Sequence, residues 1–380
     1  SASPTTAQPT TASPTASPTV PLAWTELGDA FVGAPPVVNS AAVNADGTVV
    51  AIGSHAFLDH WTGTPPFDYV RGRVQVYAWA GSAWAPRGGA IVSKEDIDVF
   101  GTSVSLSADG SVVAVGTPYV ITPLTDSTGV ARVYVWDGAN SAWAQRGADV
   151  VGESIGDEAG HSVALNEDGT ILAVGAPGGG TANFMDAQGR VRIFAWDATA
   201  WVQRGAGIDG EGLGDRSGDT GAVALNAAGD IVAIGAWRNG GNAGHVRIYE
   251  WTDAAGGAAD AVQGGDGFAE GGGTQKGAKP KKACKKKKGK KRKKCLKKQK
   301  KKAKKKGGAR RLSSASSFAW VQLGGDIDGE LAGHLSGESV ALDDGGMTVA
   351  MAAPGAGSTA GRGQARVFRW VEADAAWGQL

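Results

Sequence analysis

Few residues in this 380-residue chain are equipped for chemistry. Its five histidines, His55, His60, His161, His245 and His334, are scattered. His55, Asp59 and His60 share the segment SHAFLDHWTGTPPFDY and offer the imidazole and carboxylate ligands that zinc takes. A lone triplet, however, lacks the paired spacing of a zinc motif. His161 and His245 each follow a glycine at the start of an apolar run and read as exposed edge residues. There is no H-E-x-x-H, and no phosphate-cradling glycine loop between a strand and a helix. Without a nucleophile, base and orienter that can be assigned together, the expectation is a protein that is not an enzyme.

Carboxylates recur in short loops that read GESIGDEAG, GEGLGDRSGD and GELAGHLSGE. Glu153 and Asp157, then Glu211 and Asp215, are the candidate ligands for a divalent cation. The same Gly-Glu-x-x-Gly-Asp pattern also suits turns closed by side-chain bonds to their own backbone. Aromatic residues gather in other variable loops: Trp61, Phe67 and Tyr69 in one, with Tyr119 and Trp237 in two more. Such rings can stack on sugars or anchor a peptide, or simply cover the ends of a sheet.

A third constellation is basic. Residues 276–311 hold 23 Lys and Arg and no acid, centred on Lys285, Lys286, Lys287, Lys288, Lys290, Lys291, Arg292, Lys293 and Lys294. The net charge of +1 hides this: removing the segment leaves 38 − 23 = 15 basic against 37 acidic residues, a net of −22. A run of this density is expected to be disordered alone and to bind a polyanion, or to be a tolerated surface insertion. Cys284 and Cys295 lie inside it, able to close a loop disulfide in an oxidising compartment or to stay free.

The elements that must position these residues are short strands. Apolar runs such as SVAL, TILAVGA and RVRIFAW are separated by Asp-Gly pairs and glycine-rich loops, and no helical period persists. Turn glycines recur at Gly47, Gly110, Gly169, Gly229 and Gly346, spaced by 63, 59, 60 and 117 residues. Tryptophan pairs give the same count: Trp79 with Trp84, Trp136 with Trp143, Trp196 with Trp201, Trp251 with Trp320, and Trp370 with Trp377. The chain therefore reads as all-β, with five repeats of a four-stranded antiparallel unit, most simply the blades of a β-propeller. Residues 1–22 form a Ser/Thr/Pro-rich linker expected to be disordered. Repeats occupy 23–252 and 318–380, and 253–317 is an insert in the fourth repeat. The strand that opens at Trp24 either completes the last unit or belongs to a unit outside the chain. Strand alternation places loops one–two and three–four at one end of each unit, and loops two–three and four–one, which carry the acids and most aromatics, at the other.

The units GHSVALNEDGTILAVGAP with GRVRIFAW, GTSVSLSADGSVVAVGTP, GAVALNAAGDIVAIGA and GESVALDDGGMTVAMAAP resemble FG-GAP repeats of integrin α-subunit propellers and their secreted multi-repeat relatives. The resemblance covers roughly Trp24 to Trp251 and Phe318 to Leu380. It implies an extracellular or cell-surface adhesion module whose variable loops hold a protein or glycan ligand. It also implies calcium in a D-x-D/N-x-D-G-x-x-D loop, but here that loop is degenerate. The corresponding residues of the third unit are Ala164, Asn166, Asp168 and Leu172, so two ligands are apolar and no cofactor is expected. No apolar run is long enough to span a membrane as a helix. Two further expectations stand beside adhesion: a polyanion-binding protein acting through the basic insert, and an enzyme with a site at the centre of the ring.

Overall fold

The computed structural model describes residues 26–29, 40–54, 72–94, 99–119, 127–179, 187–253, 257–258, 318–356 and 363–380. Trp61, Phe67, Tyr69, His55, Asp59, His60, both cysteines, the Ser/Thr/Pro stretch and the whole basic run lie outside the described residues.

Five antiparallel sheets follow one another along the chain, one for each turn glycine. In sheet III, Ser162–Leu165, Ile171–Ala176, Arg190–Trp196 and Trp201–Gln203 pair in sequence order. Ile208–Asp209 then returns to pair with the start of the third strand. The fourth strand is thus split, and Arg204-Gly205 stands out between its halves. Sheets I, II and IV repeat this arrangement, while sheet V ends on its fourth strand, Ala376–Gln379. Each tryptophan pair is a direct cross-strand pair between third and fourth strands, including Trp251 opposite Trp320. The insert therefore grows from that hairpin without shifting its register. A short strand, Gly257–Ala258, pairs beside its root.

Apolar side chains on both sides of a strand need a cover on both sides. The second strands of sheets II, III and IV, VVAVGT, ILAVGA and IVAIGA, are buried throughout and lie between neighbouring sheets. Four cores result. Val74 and Val76 of sheet I meet Val113 and Val115 of sheet II, and equivalent clusters join sheets II to III, III to IV and IV to V. The matching strands of sheets I and V alternate between buried and part-exposed residues. Each end sheet is thus covered on one face, and the described sheets form no closed ring.

Close approach explains one recurrent glycine. A Cβ on Gly175 would lie 2.0 Å from the carbonyl oxygen of Gly218 at the start of the next unit. Gly53, Gly116 and Gly235 meet Gly101, Gly160 and Gly337 in the same way. Sheet V carries Ala352 at this position. The side chain reappears where, among the described residues, no following sheet packs.

The split fourth strand is a latch between sheets. The indole of Trp201 donates to the carbonyl of Arg146 in the preceding sheet at 3.0 Å, and Trp143, Trp320 and Trp377 bind Arg87, Arg204 and Leu323 alike. The guanidiniums of Arg87, Arg146 and Arg204 reach the carbonyls of Gly110, Gly169 and Gly229 in the next sheet. Gly205, at φ +81°, lets the backbone lie against Trp251. Residues 26–29 use the same contact, since Trp84 donates to Leu27 at 2.9 Å. Sheet V has its own fourth strand, so this segment does not complete it and instead docks on sheet I as the exit of a preceding unit would.

Candidate functional site

Two groups of titratable side chains form at the loop end of the sheets. The first begins with an unusual backbone. Glu158 and Arg216, at matching positions of successive units, have φ of +57° and +53°. This left-handed conformation turns both side chains inward, and Arg216 Nη2 lies 3.2 Å from Glu158 Oε2. Glu158 is only 2% exposed. Sheet IV then departs from the repeat: GDTGAVAL replaces GHSVAL, adding two residues, Asp219 and Thr220.

Those two residues receive His161. Its Nδ1 lies 2.9 Å from Thr220 Oγ1 and 3.1 Å from Asp219 Oδ1. Its Nε2 lies 3.3 Å from both Tyr119 Oη and Glu158 Oε2. Arg216 Nε and Trp237 Nε1 each reach Asp219 Oδ2 at 3.0 Å. Burial alone would discharge the imidazole, but the bonds to Asp219 and Glu158 outweigh it and push the pKa up to about 8. Burial likewise opposes the charge on Asp219, yet His161 and Arg216 hold it well below the usual carboxylate range. Desolvation and the neighbouring Glu158 push the Tyr119 phenol up. Two acids face two cations, and every polar atom of the imidazolium has an acceptor inside the protein. The group ties loops of sheets II, III and IV together and keeps its protons within.

This placement corrects the reading of His161 as an exposed edge residue. Its signal was present in the sequence as the two extra residues of unit IV, visible once the units are aligned. Tyr119 and Trp237, expected to face a ligand, turn inward onto this network.

The second group holds one of the expected cation ligands. Glu211 Oε2 and Asp326 Oδ2 lie 3.8 and 3.6 Å from Nδ1 of His245, which is 1% exposed rather than at an exposed edge. Burial and the Arg247 cation beside it lower the pKa of His245 and favour the neutral ring. The other expected ligands are engaged elsewhere. Asp157 accepts the backbone N–H groups of Glu153 and Ser154 at 2.7 and 2.9 Å. Asp215 caps Gly212 at 2.6 Å. Glu153 pairs with Arg190. These bonds are the turn-shaping pattern, because short carboxylates in glycine-rich loops satisfy nearby N–H groups. Asn166 does the same in the loop between the first two strands of sheet III, accepting from Thr170 and Ile171.

Gly152-Glu153-Ser154-Ile155-Gly156 spells G-x-S-x-G. The strand-to-helix elbow that exposes a nucleophile is not there. Ser154 sits in a turn, with no helix after it. Among the described residues, no helix is long and apolar enough to cross a membrane.

No protein-family model and no curated protein matches the chain. Solved structures do resemble it. One is a Bacteroides uniformis protein assigned by name to the 6-phosphogluconolactonases, at 11% identity and TM-score 0.46, covering 92% of this chain and 85% of that one. Another is the periplasmic gluconolactonase of Pseudomonas aeruginosa, at 14% identity and TM-score 0.46, covering 90% and 69%. A third is TolB from Acinetobacter baumannii, at 14% identity and TM-score 0.33, covering 56% and 41%. The adhesion module expected from the resemblance finds no support in these names: two are lactonases and none is named as an adhesion protein. Identities this low transfer no lactonase activity either. The chain is an all-β protein of antiparallel sheets whose neighbours have β-propeller-type folds.

Proposed function

We propose that the five sheets are FG-GAP-like propeller blades and that the protein binds polyanionic polymers through residues 276–311. The observation that carries this reading is the segregation of charge. The segment has 23 basic residues and no acid, against a net of −22 for the rest of the chain. A polyanion is repelled by the scaffold and attracted at one place. The segment is rooted at a hairpin whose pairing continues on both flanks, from Trp251 opposite Trp320 to Asp253 opposite Phe318. By strand alternation this root lies at the opposite end of the sheet from the His161 network. The Ser/Thr/Pro stretch supports a site outside the cell, where sulfated glycans are the polymers to test first. The reading is non-catalytic, and the internally matched His161 network supports it.

The test compares the full chain with a deletion of residues 276–311 on a sulfated glycan and on duplex DNA across a salt series. Counterion release gives log affinity a slope of about −0.9 per DNA phosphate neutralised against log salt, so a steep loss is expected. The deletion should abolish binding and leave the unfolding midpoint of the scaffold unchanged. Equal binding by the deleted chain would sink the reading.

A further inference from the structure

The repeat supplies its own controls for the group around His245. The position of His245, first in the third strand and opposite the last residue of the second, is held by Val130, Arg190 and Gln364 in sheets II, III and V. In sheet III, Arg190 is a built-in cation: it binds Glu153 and Asp209 together. In sheet II the equivalent of Asp326 is Asp149, which meets Arg132 at 2.9 Å and Lys94 at 3.8 Å. In sheet V, Arg366 lies 3.6 Å from Glu330, the equivalent of Glu211. Sheet IV breaks the series. Glu211 and Asp326 converge on an imidazole, and the nearby guanidinium, Arg247, stands 3.9 Å from the other oxygen of Glu211.

The imidazole is built in and idle. His245 is 1% exposed, its Nε2 has no hydrogen-bond partner among the described residues, and its Nδ1 faces the two carboxylates beyond hydrogen-bonding distance. The three ligand atoms nevertheless lie within 4.8 Å of one another. Ligands about 2.0–2.2 Å from a common ion, at angles near 110–120°, stand about 3.3–3.8 Å apart. The separations of 3.6 and 3.8 Å from Nδ1 match that span. We propose that Glu211, His245 and Asp326 form a binding site for a divalent transition ion of the zinc class. Nitrogen plus two carboxylates suits zinc or cobalt better than calcium, which takes about six to eight oxygens. Glu211 is open to solvent, so water completes the coordination. The site is independent of the polyanion reading, because it lies at the other end of the sheet from the basic segment.

Calorimetric titration of the full chain with Zn²⁺, and separately with Ca²⁺, tests the site. Glu211→Gln and Asp326→Asn keep shape and lie at part-exposed positions, so folding should survive them. His245→Gln is the third variant. The expected result is one Zn²⁺ equivalent lost, or its affinity weakened at least ~10-fold, in each variant, with Ca²⁺ not competing. Sites elsewhere, such as the two cysteines, would remain in all three and are subtracted. Unchanged stoichiometry and affinity in Glu211→Gln and Asp326→Asn would overturn the proposal. So would an absence of Zn²⁺ binding, or displacement by equimolar Ca²⁺.

Discussion

The substitution Gly175→Ala isolates what holds one sheet against the next. Gly175 has ordinary strand backbone, so its cost is one of packing alone. The added methyl would sit 2.0 Å from Gly218 O and 2.9 Å from Gly218 C. Real Cβ contacts essentially never fall below 3.0 Å, so the two backbones must part by about 3.0 − 2.0 = 1.0 Å. Overpacking of this kind costs ~1–3 kcal/mol. Weakening the bond from Gly218 N to Gly235 O, now 3.0 Å, adds ~1 kcal/mol. The reduced entropy of the unfolded chain returns ~0.4–1 kcal/mol. The net is a loss of ~1–3 kcal/mol. The matched control is Ala352→Gly, the reverse exchange at the equivalent place in sheet V, where no following sheet packs among the described residues. It should cost only the ~0.5–1 kcal/mol of a glycine in a strand. Urea unfolding followed by tryptophan fluorescence reads both, as a fall in midpoint at constant slope. A neutral Gly175→Ala, or equal losses for the two variants, would refute the claim that this glycine exists for the neighbouring sheet.

Three other outcomes follow. A folded pKa of about 8 for His161, against 6.5 unfolded, stabilises the fold by ~2 kcal/mol below pH 6.5, and this fades as pH rises through 8. Asp219 is lowered instead, so its contribution is present above about pH 4 and is lost on acidification. Stability measured from pH 4 to 9 should therefore peak between about 4 and 6.5 and decline above it. His161→Gln should flatten the alkaline limb, and a wild-type curve that rises from pH 6.5 to 9 contradicts the network. Trp201→Phe removes the donor to Arg146 O and should cost ~1 kcal/mol or more, whereas Val202→Thr next to it on the exposed face should stay within ~0.5 kcal/mol. Arg216→Met leaves two buried acids, Glu158 and Asp219, facing one cation, His161, and should destabilise by ~3–5 kcal/mol, more than Asp197→Ser in an exposed turn.

Much of the fold was legible in the chain. Glycine and tryptophan spacing counted five units, because each unit repeats the same turn and the same cross-strand pair. Apolar residues on both strand faces required sheets stacked on sheets. The split fourth strand was hidden: WVQRGAGID reads as one extended run, and only the guanidinium and carbonyl of Arg204, docked on the next sheet, show why it breaks at Arg204-Gly205. The site was less legible. Tyr119 and Trp237 looked like ligand contacts because aromatics in variable loops commonly are, while the carboxylate that captures Trp237 lies 18 residues away in a different loop.

By itself the sequence determined the class of structure, the number of units, the place of the insert and the separation of basic from acidic charge. These depend on residue type and local spacing, which chain order preserves. The tertiary structure decided which acids meet which cations. His161 meets Asp219 across 58 residues because consecutive sheets bring matching loops together, and His245 meets Asp326 across 81 because the third and fourth strands of sheet IV pair on either side of the insert. Burial then changes what those side chains are. The same imidazole is held charged between Glu158 and Asp219 and is left neutral beside Arg247, a difference of environment that no local stretch of sequence contains.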